Sequence, residues 1–171
     1  MRYKIACIIF LVIMITTSCG EADTFYRVDW KTATSLSSKD GKLALGVAGP
    51  VGGVSNNYLL VAGGANFPEA YPWEGGKKKY CNTAFVFRKD KDTLVLVSDD
   101  QALPDTIAYA AVAQAGNSIV YAGGETAAGI SDRVYRLSIS EGIISIDSLP
   151  SLPLALTNAT MSFWQNRLYF V

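Results

Sequence analysis

The side chains able to do chemistry in this chain are carboxylates, lysines and tyrosines, because its 171 residues include no histidine. They concentrate in residues 65–81, which carry Asn66, Phe67, Tyr71, Trp73, Glu74, Lys77, Lys78, Lys79 and Tyr80. Aromatic rings offer flat apolar faces that can pack on a sugar, and lysines can pair with a carboxylate. A plainer reading of the same residues is open too. Phe67 and Trp73 then plug the loop against the fold, and the lysines form a solvated face. Glu125 stands apart, directly after Gly123-Gly124. Cys81 has no histidine to activate it and reads as a packed or partly exposed small residue. Asp, Glu and Cys are scattered and no phosphate-loop spacing occurs, so neither metal nor cofactor is expected. Fifteen acidic groups balance fifteen basic ones, which leaves no overall field for nucleic acid.

These residues must be positioned by a repeat. Leu59-Leu60-Val61-Ala62-Gly63-Gly64 recurs as Ser118-Ile119-Val120-Tyr121-Ala122-Gly123-Gly124, and Arg167-Leu168-Tyr169-Phe170-Val171 begins a third copy. A repeat of this kind implies small sheets that bury their faces only by stacking on their neighbours. In the first unit, strands are expected at residues 43–54, 58–62, 82–88 and 93–98. In the second they are expected at 108–113, 118–122, 132–138 and 143–149. β-Branched and aromatic runs bounded by Gly, Asn, Asp and Pro support this reading. Leu103-Pro104, Leu149-Pro150 and Leu152-Pro153 mark crossings between sheets, because proline cannot donate to a ladder. Four antiparallel strands per unit is one propeller blade, so the fold class is all-β. The glycine pairs are expected where a strand leaves a crowded sheet and a Cβ would clash.

Alternation of strand direction sorts the connections into two faces. The turns at Asn56-Asn57, Asp90-Lys91-Asp92, Gly116-Asn117 and Glu141-Gly142 are short. Residues 65–81, 125–131 and the crossing at 102–107 are long and chemically varied, and that second face is the candidate site.

The N-terminus reads as a targeting segment. Arg2 and Lys4 precede an apolar stretch at residues 5–15, too short to span a bilayer, followed by Thr16-Thr17-Ser18-Cys19. This resembles a bacterial lipoprotein signal with Cys19 as the lipidated residue; the alternative is an ordinary signal peptide cut nearby. The expected organisation is a signal at 1–18, an N-terminal segment at 19–42 with the outer strand of a blade, blades at 43–103 and 104–150, and the start of another at 151–171. Export to the periplasm or outer membrane follows, with membrane contact through the lipid anchor alone. Two blades with partial neighbours are an incomplete ring, so the sequence reads as the opening part of a longer propeller.

Strand, Gly-Gly, long loop and aromatic-rich strand together resemble the kelch repeat. The tryptophan usual later in that repeat appears only as Trp30, in Phe25-Tyr26-Arg27-Val28-Asp29-Trp30, which resembles a blade's outer strand. Across residues 46–137 the resemblance narrows. The runs Val61-Ala62-Gly63-Gly64-Ala65-Asn66-Phe67-Pro68, Pro72-Trp73-Glu74-Gly75-Gly76-Lys77-Lys78 and Ala122-Gly123-Gly124-Glu125-Thr126 are similar to the cyclically permuted branch of the N-acetylneuraminate mutarotases. That resemblance implies a kelch-type β-propeller and an isomerase that converts the α anomer of a sialic acid to the β anomer. It points to Glu125 as an acid-base group or pocket residue, with a structural hydrogen bond as the alternative. It matches Tyr109 to a tyrosine of the family's crossing segment, where the preceding arginine is Ile107 here. Asn66, Phe67, Trp73, Glu74, Lys77 and Tyr109 are the expected substrate contacts. Mutarotation needs a proton taken from the anomeric hydroxyl and one delivered to the ring oxygen. Without histidine, a carboxylate raised by partial burial would serve, assisted by Tyr or Lys. The competing function is a non-catalytic kelch module that binds glycan or protein through the same loops. Arg133 could serve an anion or pair with Asp132, and the pair is the expectation.

Overall fold

Short β-branched and aromatic runs between turn residues favour strands over helices. The computed structural model describes residues 28–37 and 41–171, and among them there is no α-helix. In chain order the strands are β1 (Val51–Ser55), β2 (Tyr58–Ala62), β3 (Ala65–Asn66), β4 (Lys79–Tyr80), β5 (Thr83–Asp90), β6 (Thr93–Ala102) and β7 (Ala111–Ala115). They continue as β8 (Ser118–Ala122), β9 (Glu125–Thr126), β10 (Gly129–Ile130), β11 (Val134–Ser140), β12 (Ile143–Leu149), β13 (Met161–Trp164) and β14 (Arg167–Phe170). Residues 28–31 belong to a separate unit and carry no strand, so the outer strand expected around Trp30 is not formed by its described part. The proposed signal segment and Cys19 lie outside the described residues.

Two antiparallel sheets repeat one pattern. The first has the order β1-β2-β5-β6, the second β7-β8-β11-β12, and β13-β14 pair as a ribbon beyond them. These are two four-stranded kelch-type blades and part of a third, and they do not close a ring. The small ribbons β3-β4 and β9-β10 sit on the β2–β5 and β8–β11 connections. Strands β2, β8 and β12 begin and end where the sequence placed them. The first strand of each blade is shorter than expected. In the first blade, Leu43 and Ala48 make only isolated bridges to Ser37 and Ala65, and the strand starts at Val51. In the second, Ala108 bridges Glu125 and Tyr109 adopts φ +56°, so pairing starts at Ala111. Ala48 and Ala108 pair instead with the first residue after their own blade's glycine pair, and the Tyr109 amide donates to Gly49 of the first blade.

The main core lies between the blades. Val51, Leu60 and Val86 of the first pack with Ile119, Tyr121, Leu137 and Ile139 of the second, all buried. Each such side chain contributes about 1.5–3 kcal/mol on burial. A second cluster joins Ala111, Ala113 and Val120 to Met161 of the third blade, with Leu168 and Phe170 against it.

Polar side chains then add to the few backbone bonds between blades. Gln114 on β7 accepts from the Val54 amide at 3.1 Å and donates to the Val54 carbonyl at 2.7 Å. Buried Ser55 accepts from the Ile139 amide at 2.8 Å, and the Asn56 side chain donates to the Ile139 carbonyl at 2.6 Å. Gln101 clasps the second blade's outer turn, donating to the Gly142 carbonyl at 2.8 Å and accepting from the Ile144 amide at 2.7 Å. Every buried backbone group facing another blade must find such a partner.

Candidate functional site

The glycine pairs fix where the long loops leave each blade. Gly63, Gly64, Gly123 and Gly124 have φ of +66°, +91°, +66° and +99°. A Cβ on Gly63 would lie 2.6 Å from the Ile107 carbonyl, and one on Gly124 would lie 2.8 Å from that of Ala108. One on Gly123 would run into the Leu156 carbonyl. The close approach makes room for a repeated hydrogen bond. Gly64 donates to the Ile107 carbonyl at 2.7 Å, and Gly124 donates to the Leu156 carbonyl at 2.8 Å. Each blade's glycine pair is therefore clamped by the crossing that enters the next blade.

The residue after the second pair is Glu125, held in register by its mutual backbone bonds with Ala108 at 2.9 and 2.7 Å. Tyr109 follows Ala108 immediately, so the crossing and the loop present their side chains together. Across the blade boundary, the Lys78 ammonium donates to Glu125 Oε2 at 2.9 Å and the Tyr80 hydroxyl donates to the same oxygen at 3.0 Å. The ammonium stands 4.8 Å from the centre of the Tyr109 ring and 5.1 Å from that of Tyr80, in cation–π geometry.

The electrostatics run opposite to the expected raised carboxylate. The hydrogen bonds from Lys78 and then Tyr80 hold Glu125 below the usual glutamate value, outweighing its desolvation. Lys78 is raised in turn, first by its bond to Glu125. The cluster is an ionised carboxylate with an ammonium and a phenol as proton-bearing neighbours. Such a group can accept a proton or bind a hydroxyl; it does not donate at neutral pH.

A family model described as N-acetylneuraminate epimerase matches residues 16–146. This chain belongs to the N-acetylneuraminate epimerase family. A relative from Haemophilus influenzae (strain 86-028NP), named N-acetylneuraminate epimerase, is 32% identical over 111 residues, covering 60% of this chain and 28% of its own length. One of the same name from Yersinia enterocolitica is 27% identical over 127 residues, covering 71% of this chain and 32% of its own. The solved structure of YjhT is 28% identical with a TM-score of 0.49, covering 60% of this chain and 31% of that one. The chain thus spans about a third or less of the family members it matches.

Of the contacts expected from the sequence of this epimerase-family chain, the structure brings Tyr109 and Glu125 together around Lys78 and Tyr80, two residues whose role no local sequence pattern signals. Lys77 lines a neighbouring cleft with Lys78. Asn66 lies elsewhere, in a cavity of about 200 Å³ shared with Val47, Gly63 and Phe85, and its buried Oδ1 has no partner among the described residues. Phe67 is exposed. Trp73 is 78% exposed and does not plug the loop; it stacks on Tyr71 at 4.7 Å and 8°. Glu74 caps its own 3-10 turn (Pro72–Glu74), accepting from the Tyr71 amide at 3.2 Å. Trp73 and Glu74 thus belong to one local turn. Arg133 pairs with Asp105 at 3.1 Å and not with Asp132, because Tyr135 also reaches Asp105 at 3.1 Å and completes the triad. Buried Tyr121 stacks on Tyr135 at 5.2 Å, and burial pushes its phenol well up. No sequence spacing signals this second cluster, since Asp105 lies 28 positions from Arg133.

Proposed function

We propose that this chain supplies part of the sugar site of a sialic acid (N-acetylneuraminate) mutarotase, which interconverts α and β anomers by acid-base ring opening and reclosure. Glu125 accepts the proton of the anomeric hydroxyl as the ring opens, and a neighbouring phenol, Tyr80 or Tyr109, is placed to exchange a proton with the ring oxygen. Family membership supports the reaction class, and the observation that carries the residue assignment is the Glu125 carboxylate with Lys78 and Tyr80 both within 3.0 Å. A positioned acid-base group contributes typically about 10²–10⁴-fold. The test is proton NMR of anomer equilibration for freshly released N-acetylneuraminate. Added protein is expected to accelerate it, and an unchanged rate for every sialic acid overturns the reading.

The N-terminal pattern supports a companion proposal: export to the periplasm or outer membrane, with a lipid on Cys19 as tether. Mass spectrometry of the mature N-terminus is expected to show an acylated Cys19, and a Cys19→Ser variant is expected to leave the membrane fraction. An unmodified N-terminus from cells removes the tether.

A further inference from the structure

Two clefts adjoin beside the Glu125 cluster and share Thr106 and Ala127 as walls. The first, about 350 Å³, lies against Lys77, Lys78 and Lys79, with Glu69 as the acidic residue on its lining. Lys78 is committed to Glu125, whereas Lys77 and Lys79 have no ion-pair partner among the described residues. The second, about 420 Å³, is lined by hydroxyls and carboxylates, among them Thr126, Ser131, Asp105 and Asp132. Asp105 is held there by Arg133 and Tyr135. One cleft therefore suits an anion and the other suits a chain of hydroxyl groups.

We infer that the two clefts together read an acidic sugar end to end, the lysine cleft taking its carboxylate and the Asp132 cleft its hydroxylated tail. The inference rests on the mutarotase reading and deepens it. In a 2-keto sugar acid the carboxylate is bonded to the anomeric carbon itself. Anchoring that carboxylate beside Lys78 therefore brings the reacting carbon to Glu125. The tail is carried by the carbon on the other side of the ring oxygen and needs acceptors for several hydroxyl protons, which Asp132, Ser131 and Thr126 supply. Neutral aldoses lack the first group and shorter acids lack the second, so discrimination comes from two separate places.

The experiment uses the full chain and three probes followed by ligand-observed NMR titration: N-acetylneuraminate, its methyl ester, and an analogue of the acid that keeps the free anomeric centre but lacks the outer carbons of the tail. Wild type is expected to prefer the acid over the ester by about tenfold, the scale of one partly exposed charged hydrogen bond. Lys77→Ala/Lys79→Ala is expected to erase that preference while leaving the ester's affinity unchanged. Ser131→Ala/Asp132→Ala is expected to weaken the acid and the ester but not the shortened acid. These side chains lie at the surface, and a thermal melt verifies that both variants fold. An undiminished acid-over-ester preference in the lysine variant overturns the assignment. So does equal binding of full and shortened acids by wild type. Failure of the underlying reading is seen separately, as wild-type protein that binds the acid without accelerating anomer exchange. If wild type binds none of the three, both fall.

Discussion

The ring of Tyr109 lies directly against the α-carbon of Gly49, and its amide donates to the Gly49 carbonyl at 2.8 Å. The two occupy the same place in successive blades. The series continues, because the Tyr109 carbonyl accepts from Asn158 at 3.0 Å, and all three residues have φ between +55° and +61°. A hydrogen-bonded chain of left-handed residues thus runs from blade to blade around the axis. The second blade fills its position with the aromatic ring that faces Lys78, and the first blade leaves the space for it.

Gly49→Ala is expected to destabilise the protein by about 2–4 kcal/mol, combining a left-handed Cβ with an overpacked contact. The added carbon would sit 2.7 Å from the Tyr109 amide nitrogen as well as in its ring. Urea unfolding measures the loss. The displaced ring should also weaken sugar binding, while Gly116→Ala, in an open turn, should not.

Glu125→Gln is expected to lower the anomer exchange rate by about 10²–10⁴-fold while moving the melting temperature little. Magnetisation-transfer NMR reads the rate. Retained exchange would reduce Glu125 to a structural partner of Lys78.

The Glu125–Lys78 link has a defined pH range. A depressed carboxylate contributes fully above its unfolded value and loses that contribution as pH falls through the lower folded one. A raised ammonium contributes fully below its unfolded value and loses it as pH rises through the higher folded one. The link is therefore complete between about 4.5 and 10.5, the ordinary values of the two groups. Carbon-detected NMR is expected to show Glu125 titrating below 4.5, returning toward it in Lys78→Ala. A wild-type midpoint above 4.5 would show that the pair does not persist in solution.

Ser55→Ala is expected to cost about 1–3 kcal/mol, because it leaves the Ile139 amide unpaired between the blades. Ser55 is fully buried and its oxygen is that amide's partner at 2.8 Å. Denaturant midpoints at constant slope measure the cost. A change near zero would mean water replaces the hydroxyl.

Features with a local backbone cause were legible in the sequence. The glycine pairs announced a crowded exit with positive φ, and the apolar runs at β2 and β8 announced their strands to the residue. The first strands are shorter than their side chains suggest because Ala48 and Ala108 pair with the residues after the glycine pairs, Ala65 and Glu125, and Gly49 and Tyr109 bond to a neighbouring blade. The candidate site was only half legible. Nothing in Lys77-Lys78-Lys79 says which ammonium meets a carboxylate 47 positions away. That choice is made by the β3–β4 register, where Tyr80 opposes Ala65 and Lys79 opposes Asn66. The depressed state of Glu125 follows from the same long-range choice. Trp73 and Glu74 looked like binding residues because their types are right, but the αL residue Gly75 and the Tyr71 stack turn them into a local cap.

The two bonds from Gln114 to Val54 have a wider consequence. Had the innermost strands paired directly, their separation would be locked near the ~4.8 Å repeat of a backbone ladder. Here the reach of one side-chain amide, beside the single Gly49–Tyr109 backbone bond, ties the two strand edges instead, so the spacing between these neighbouring leaflets can drift through exchanges as small as glutamine for asparagine without rewriting either strand.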